Sequence, residues 1–569
     1  MSDFIRNTTL GVIIRFVTRN THLQYPEERR DFELPESYVK AVEAAQQRFP
    51  AARDASLDRA SLKTSASTGP TFDPAIQERK IVQLEVPDVI NHQTQPTLLA
   101  DGTILVDWYN PTDPANPQNW TSRKKALVSA LILCYTLAVY VGSAICTPGY
   151  GQVMELFGVS RQLVSLTLSM YVLAYGIGPM LWSPLSEIPS IGRNPPYIFT
   201  FAIFVILTIP TALADNFAGL VVLRFLLGFF GSPCLATGPA TLGDLYPLVK
   251  LPYALSLWAF AATSGPAIAP LISGFSVPAE GWRWAYWEML WLSGPILIAM
   301  FLLLPETSSA TILLRRAQRL RALTGNPSFK SQSEIDQSTL QIRDVVIESL
   351  WRPMQMMLLD PSIAFTALYS ALIYGIFYSF FECFPLVYIG MHRFNLGEEG
   401  IVFLSVNVGA AIAIVMYWSY IYRVFEPAVR AHTLGPPERL LRPALPASFL
   451  FPIGLFIFAW TSSPEIPWIA PTIGIAVVLT GIFIVLQCIF LYLPLSYPRY
   501  AASLFAGNDL ARSSLAAATI HFSQPLYDNL GVSRGVTLLA GLTVGCIAGI
   551  FALWHYGDKL RARSRFAQK

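Results

Sequence analysis

A few charged and amide side chains lie inside long apolar stretches of this chain, where packing alone does not explain them. Arg224 interrupts VVLRFLLGFFGSP, Glu382 sits among aromatics in YSFFECFP, and Asn508, Asp509 and Arg512 fall within LFAGNDLARSS. A charge at the centre of a bilayer costs about 2.5–3.5 kcal/mol on insertion scales, so such a group pairs, snorkels to a surface or faces a water-filled cavity. Arg224 reads either as a snorkelling anchor or as a buried cation that tunes the proton affinity of a nearby carboxylate. Glu382 is either solvated at a helix end or faces a cavity, where a proton or a cationic substrate neutralises it. Asp509 and Arg512 have the spacing that lets two side chains meet on one helix, so a structural ion pair competes with a binding role. Arg224, Glu382 and Asp509 are therefore the proton-coupling candidates. Glu382, Asn508 and Arg512 are the substrate-binding candidates, with the aromatics Tyr374, Tyr378 and Phe381 as walls for an amphipathic ligand. Packing and lipid contact account for many such aromatics equally well.

Enzyme chemistry finds no support. The six histidines stand singly, without the HExxH spacing of a metal enzyme, and no GxxxxGK[ST] loop is present to cradle a nucleotide. The six cysteines lie in or beside apolar runs without CxxC spacing. No metal, no cofactor and no nucleic-acid partner is expected, and an ion gradient is the natural energy source.

The elements that must hold these residues are membrane helices. Of 569 residues, 53% are hydrophobic and 14% charged, against about 25% charged in a soluble domain. Apolar runs recur near residues 125–145, 163–183, 196–213, 218–243, 252–275 and 285–304, then 361–386, 400–422, 446–461, 469–493, 498–522 and 535–556. With ~20 apolar residues needed to cross a bilayer, these make about twelve spans, numbered 1 to 12 below. Basic residues gather before span 1 (Arg123, Lys124, Lys125), after span 6 (Arg315, Arg316, Arg319, Arg321), after span 8 (Arg423, Arg430, Arg439, Arg442) and after span 12 (Lys559, Arg561, Arg563, Arg565). The positive-inside rule then puts both termini in the cytoplasm. The fold class is an all-α membrane protein of two six-helix halves around a midplane site, the plan of a rocking transporter.

The expected organisation is an N-terminal cytoplasmic segment, residues 1–120, largely flexible; a first half, 121–304; a cytoplasmic loop, 305–360; a second half, 361–556; and a basic tail, 557–569. Residues 4–19 suit a short basic helix lying on a membrane surface, and Ala60–Asp73 a flexible linker. The start carries Arg6, Arg15 and Arg19 and lacks the form of a cleavable signal peptide.

Between spans 2 and 3 lies GPMLWSPLSEIPSIGRNP, Gly178–Pro195, a short Pro/Gly turn with one acid, Glu187, and one base, Arg193. Such a turn must sit at a surface or against protein. Span 5 carries SGPAIAPLISG, in which Pro266 and Pro270 each remove a helix hydrogen bond while Gly265 and Gly274 permit close helix approach. A gating bend is the reading, with small-residue packing as its alternative.

These motifs carry a resemblance. The loop 2–3 sequence, LRFLLGFFGSP, SGPAIAPLISG, PETSSATILLRRAQRLR and SYPRYAASLFAGNDLARSS are similar to those of the drug:H⁺ antiporters of the major facilitator superfamily, in the form of fungal benomyl/azole-resistance exporters. The resemblance implies proton-driven export of amphipathic drugs or fungal toxins at the plasma membrane, by a protein that acts as a monomer on small molecules, protons and the lipid bilayer. It implies that Gly178, Pro184, Glu187, Gly192 and Arg193 form a cytoplasmic latch, that Arg224 serves proton coupling, and that Gly265, Pro266, Pro270 and Gly274 form a gate. Ala269 departs from the family's glycine there. Two rivals remain open: a polyamine or organic-cation carrier of the same fold, and a membrane sensor that binds without transport.

Overall fold

The computed structural model describes residues 5–48, 96–99, 102–337, 351, 353–497 and 501–564. Ala60–Asp73, read above as a linker, and Arg565 lie outside the described residues. Among the described residues, eleven continuous helical segments are long and apolar enough to cross a membrane. The last, Ser503–Ala562, is two spans joined at Gly531, whose φ of 73° and ψ of 167° break the helix. That gives the twelve spans the apolar runs require.

Local chemistry sets where these helices begin and end. Thr121, Asn216 and Asp360 cap spans 1, 4 and 7 by accepting from the otherwise unpaired N–H groups of Lys124, Gly219 and Ser362. Asn395 and Glu398 form a reciprocal capping box at the start of span 8. Span 5 runs unbroken from Leu251 to Glu280 through Pro266 and Pro270, and ends at Gly281 with φ of 89°. Large apolar side chains such as Phe199, Ile206, Leu368 and Val415 remain exposed on the bundle's outside, the face a bilayer would cover.

The chain divides into two units. The first comprises Met1–Leu23, Trp120–Thr311 and Leu340–Lys569, and so contains every span. Its N-terminal helix, Thr9–Val17, is tied to the ends of spans 3 and 6. Thr9 Oγ1 donates to Asn194 Oδ1 at 2.8 Å, and the Glu306 amide donates to the Asn7 carbonyl at 3.0 Å. Val12, Ile13, Phe16 and Val17 on this helix are exposed, in keeping with an amphipathic surface helix.

The second unit draws on Gln24–Asn119 and Ile312–Thr339. Strand β1, Ile104–Val106, pairs in parallel with β2, Phe329–Ser331. Tyr38, Ile104, Val106, Ala317, Leu320 and Phe329 make a small apolar core. Beside it Arg316 is buried, 2.7 Å from Asp113 and 3.5 Å from Glu27, with its guanidinium 4.0 Å from the Tyr109 ring centroid. Residues 24–48 and 102–119, within the segment expected to be largely flexible, are built into this unit. Their short apolar and charged stretches find partners in the helix after span 6, a long-range pairing that local composition does not reveal.

Candidate functional site

The turn after span 2 is held by two acids distant in sequence, Asp244 of span 4 and Glu306 just after span 6. Pro184 lies in the last turn of span 2 and Glu187 is its final residue. Gly192 takes φ of 84°, and a Cβ there would overlap the Glu306 carboxylate, so the turn requires glycine. Glu306 accepts from the amides of Arg193 (3.1 Å), Asn194 (3.3 Å), Thr307 (2.9 Å) and Ser308 (2.8 Å). The Arg193 side chain turns back to span 4, where Nε donates to Asp244 Oδ2 at 2.8 Å. Gly178 lies earlier on span 2 at a close crossing with span 4; a Cβ there would overlap the Ser232 hydroxyl and come within 2.7 Å of the Phe229 carbonyl. The structure thus ties Arg193 and Gly192 to Asp244 and Glu306, neither of which the residue-level reading singled out. Their signals were present, Asp244 in GDLYP directly after span 4 and Glu306 in PETSS.

Arg224 is fully buried, so it is not a snorkelling anchor. Its Nε donates to the Thr167 carbonyl at 2.8 Å, and its Nη1 and Nη2 donate to the Gly142 and Ser143 carbonyls, each at 2.6 Å. The Tyr171 ring lies 4.4 Å away. They are carbonyls of the last turn of span 1 and the first turn of span 2, and a guanidinium fork suits them. Its hydrogen-bond partners are carbonyls and the Cys146 sulfur, and no carboxylate among the described residues pairs with it.

Two cavities lie between the halves. The central one, of about 610 Å³ with its open side included, is walled by Tyr140, Trp258, Ala262 and Pro266 of the first half and by Tyr374, Phe377, Gln487, Phe490 and Arg512 of the second, among others. The second is a cleft of about 1080 Å³, its open mouth included, at the end remote from Arg193. It is lined by Tyr150, Arg161, Pro266, Pro270, Tyr378, Phe381, Glu382 and Glu399, among others. Between the two cavities stand three tyrosines. Tyr175 of span 2 hydrogen-bonds Tyr374 at 2.8 Å and Tyr378 at 3.0 Å, so one hydroxyl from the first half meets two from span 7.

The proposed binding residues therefore separate. Tyr374 and Arg512 face the central cavity, while Tyr378, Phe381 and Glu382 face the cleft. Asn508 lines neither; it is buried and neither of its amide atoms has a partner among the described residues. Asp509 and Arg512 form an ion pair at 2.6 Å with both side chains about 5% exposed or less. The Arg512 guanidinium also lies 4.9 Å from the Tyr374 ring centroid. Of the span 5 residues, Pro266 borders both cavities and Pro270 the cleft. Gly265 packs on Tyr140, and Gly274 packs on the Leu396 carbonyl of span 8. Glu399, Tyr175 and Gln487 escaped the sequence reading, because ordinary helix positions give no sign of which face meets a cavity.

The halves also bond directly at both ends. Toward the end that carries Arg193, Glu426 meets Lys250 Nζ at 3.1 Å and the Tyr253 hydroxyl at 3.2 Å, and Trp418 Nε1 donates to Ser256 Oγ at 2.7 Å. Toward the other end Ser169 Oγ lies 2.7 Å from His521 Nε2. Contacts on both sides of a midplane cavity describe an arrangement in which that cavity is enclosed.

The chain is similar to known transporters along its whole length. It is 45% identical over 567 residues to the MFS-type transporter pyvG of Aspergillus violaceofuscus, covering 100% of both chains. It is 38% identical over 577 residues to the cycloheximide resistance protein of Candida maltosa, again covering 100% of both. Among solved structures, the human organic anion transporter MFSD10 superposes with a TM-score of 0.55 at 14% identity, covering 75% of this chain and 99% of that one, a likeness of fold alone. Residues 132–520 match the model of the Major Facilitator Superfamily. With twelve spans in two halves around an enclosed central cavity, the chain belongs to the major facilitator superfamily.

Proposed function

We propose that this protein is a proton-coupled exporter of small amphipathic drugs or fungal toxins, acting as a monomer in the plasma membrane with both termini cytoplasmic. The observation that carries this reading is the central cavity. It is aromatic, is lined by Arg512 whose charge Asp509 neutralises from outside the lining, and takes its walls from both halves. A rocking motion of one half against the other would expose such a site to each side in turn. The relatives named for cycloheximide resistance and for MFS-type transport support efflux over binding without turnover. The excess of arginine and lysine beside the termini and after span 6 supports the orientation.

Glu382 and Asp509 are the carboxylates proposed to take the coupled proton, Glu382 in the cleft and Asp509 beside Arg512. Arg224 acts on coupling only indirectly in this scheme, by fixing the junction of spans 1 and 2. Loop 2–3 and span 5 provide the latch and gate. The organic-cation reading is favoured by one feature, the two carboxylates Glu382 and Glu399 that face the cleft with a single arginine.

The test is efflux of a fluorescent amphipathic dye and of radiolabelled spermidine from yeast stripped of its own pumps, with and without a protonophore. Dye efflux that collapses with the gradient supports the exporter. Spermidine efflux alone moves the function to a cation carrier, and movement of neither in well-expressing cells favours a sensor.

A further inference from the structure

The turn that carries Gly192 and Arg193 is fastened a second time, by residues near the start of the chain. Asn194, 5% exposed, is shared between two elements. Its Oδ1 accepts from Thr9 Oγ1 at 2.8 Å, and its Nδ2 donates to the Leu304 carbonyl just past the end of span 6. Glu306, whose carboxylate accepts from the Arg193 and Asn194 amides, donates its own amide to the Asn7 carbonyl at 3.0 Å. Thr8 is fully buried, bridges Pro305 in antiparallel fashion, and caps the helix Thr9–Val17 by accepting from the Gly11 amide at 3.1 Å. Residues 7–9 thus join the root of the N-terminal helix to the two residues that pin the turn.

The helix that grows from this root has an uncovered face. Val12, Ile13, Phe16 and Val17 are exposed, Phe16 at 84% and Val17 at 72%. Residues spaced i, i+1, i+4 and i+5 share one side of an α-helix, and no described residue covers them. Two features say what does. The first is continuity with the bilayer-facing surface. Asn194 opens span 3 and Leu304 follows span 6, and the outward-facing Phe199 and Leu302 lie within about two helical turns of these contacts. The second is charge. Residues 4–23 carry Arg6, Arg15 and Arg19 and no acid, and Arg19 is exposed where the helix ends. An apolar face bordered by arginine and free of acids suits an anionic lipid surface.

We infer that the helix Thr9–Val17 docks on the anionic cytoplasmic leaflet and, through Asn7 and Thr9, clamps the turn between spans 2 and 3. Val12, Ile13, Phe16 and Val17 enter the interface while the arginines meet lipid phosphates. A docked helix holds Asn7 against Glu306 and Thr9 against Asn194, so the turn keeps Arg193 on Asp244. An undocked helix leaves its apolar face in water and opens more readily, and the turn opens with it. The lipid composition of the leaflet thereby sets how easily the latch releases. The inference rests on the proposed latch and on the proposed cytoplasmic placement of the N-terminus, and goes beyond both by assigning the latch a lipid regulator.

The test is hydrogen exchange of the intact protein in nanodiscs of phosphatidylcholine alone and of phosphatidylcholine mixed with phosphatidylserine. In the anionic discs the amides of residues 9–17 and 188–193 should exchange at least about tenfold more slowly, while those of Ile104–Val106 stay unchanged. Phe16→Glu combined with Val17→Glu should abolish the lipid effect at both segments. Thr9→Val keeps the apolar face and removes the bond to Asn194, so it should preserve the response of 9–17 and cut that of 188–193 about threefold. Equal exchange of 9–17 in the two discs, in the unmodified protein, overturns the inference. So does a lipid response at 9–17 with none at 188–193, or a response that survives the two glutamates. Nanodiscs expose both faces of the protein to one lipid composition, so the result is independent of its orientation and of its substrate; dye efflux from yeast tests the exporter reading separately.

Discussion

Tyr175→Phe removes one hydroxyl and keeps the ring, at the point where the central cavity is divided from the cleft. In the enclosed arrangement that hydroxyl bonds Tyr374 at 2.8 Å and Tyr378 at 3.0 Å across the two halves. A neutral hydrogen bond is worth about 0.5–1.5 kcal/mol net. The rings of Tyr374 and Tyr378 are 5.0 Å apart, so their hydroxyls can partly satisfy one another once Tyr175 is gone. The expected loss is therefore about 1–2 kcal/mol, rather than the sum of two full bonds with two orphaned hydroxyls. Rocking the halves apart on the cleft side must break these bonds, so the substitution should raise the population open to the cleft about 5- to 30-fold. The assay is the rate at which a membrane-impermeant maleimide, added from outside, modifies a cysteine placed at Ala262 on the central cavity wall. Cys134, the one native cysteine that is exposed, is replaced by serine. A rate unchanged by Tyr175→Phe, in a protein that melts normally, would refute the claim that these tyrosines close the path.

Three further outcomes follow from the same geometry. Arg224→Lys replaces the planar fork that reaches the Thr167, Gly142 and Ser143 carbonyls by a point ammonium that does not match their spread, at about 1–3 kcal/mol for each bond lost; the melting temperature should fall clearly, and an unchanged melt with lost export would instead return Arg224 to the coupling step. Asp244→Asn removes the partner of a guanidinium whose side chain is 11% exposed. Between the surface and buried limits that costs about 1–3 kcal/mol, and hydrogen exchange at residues 188–193 should rise while distant spans stay protected. In the second unit burial works against the charge of Asp113, but the Arg316 guanidinium and the Ala115 and Tyr109 amides hold its carboxyl below the usual carboxylate range. A depressed value stabilises the fold above that range and is lost only as pH falls through it. Protection of Ile104–Val106 in the intact protein should thus persist through mild acid and fail below the usual carboxylate range, and Arg316→Leu should abolish it already at neutral pH. Protection lost between about pH 7 and about pH 5 would count against the pair.

What the sequence revealed and what it concealed follows from the range of the forces involved. Span number was legible because each crossing needs its own apolar run, and even the merged last segment betrays itself by Gly531. The Asp509–Arg512 pair was legible because both partners lie on one helix turn. Arg224 was legible as a buried cation but not as a carbonyl clamp, since its partners are backbone atoms of spans 1 and 2. Asp244, Glu306 and Glu399 were missed for one reason: each acts on residues far away in the chain, and a single acid at a helix end looks like ordinary surface chemistry. The pairing of β1 with β2 hid in the same way, each strand being three residues long with its partner more than two hundred residues distant. Gln487 was hidden most completely, in an apolar span where only the fold says which face meets the cavity.

The central claim is that substrate is driven outward through this cavity by protons. Its most direct test is purified protein in proteoliposomes, loaded or bathed with an amphipathic dye, under an imposed pH gradient. The account predicts that dye accumulates against its own gradient, that protons move the opposite way as it does so, and that both cease with a protonophore. Dye that merely equilibrates at the same rate with or without the gradient would contradict it.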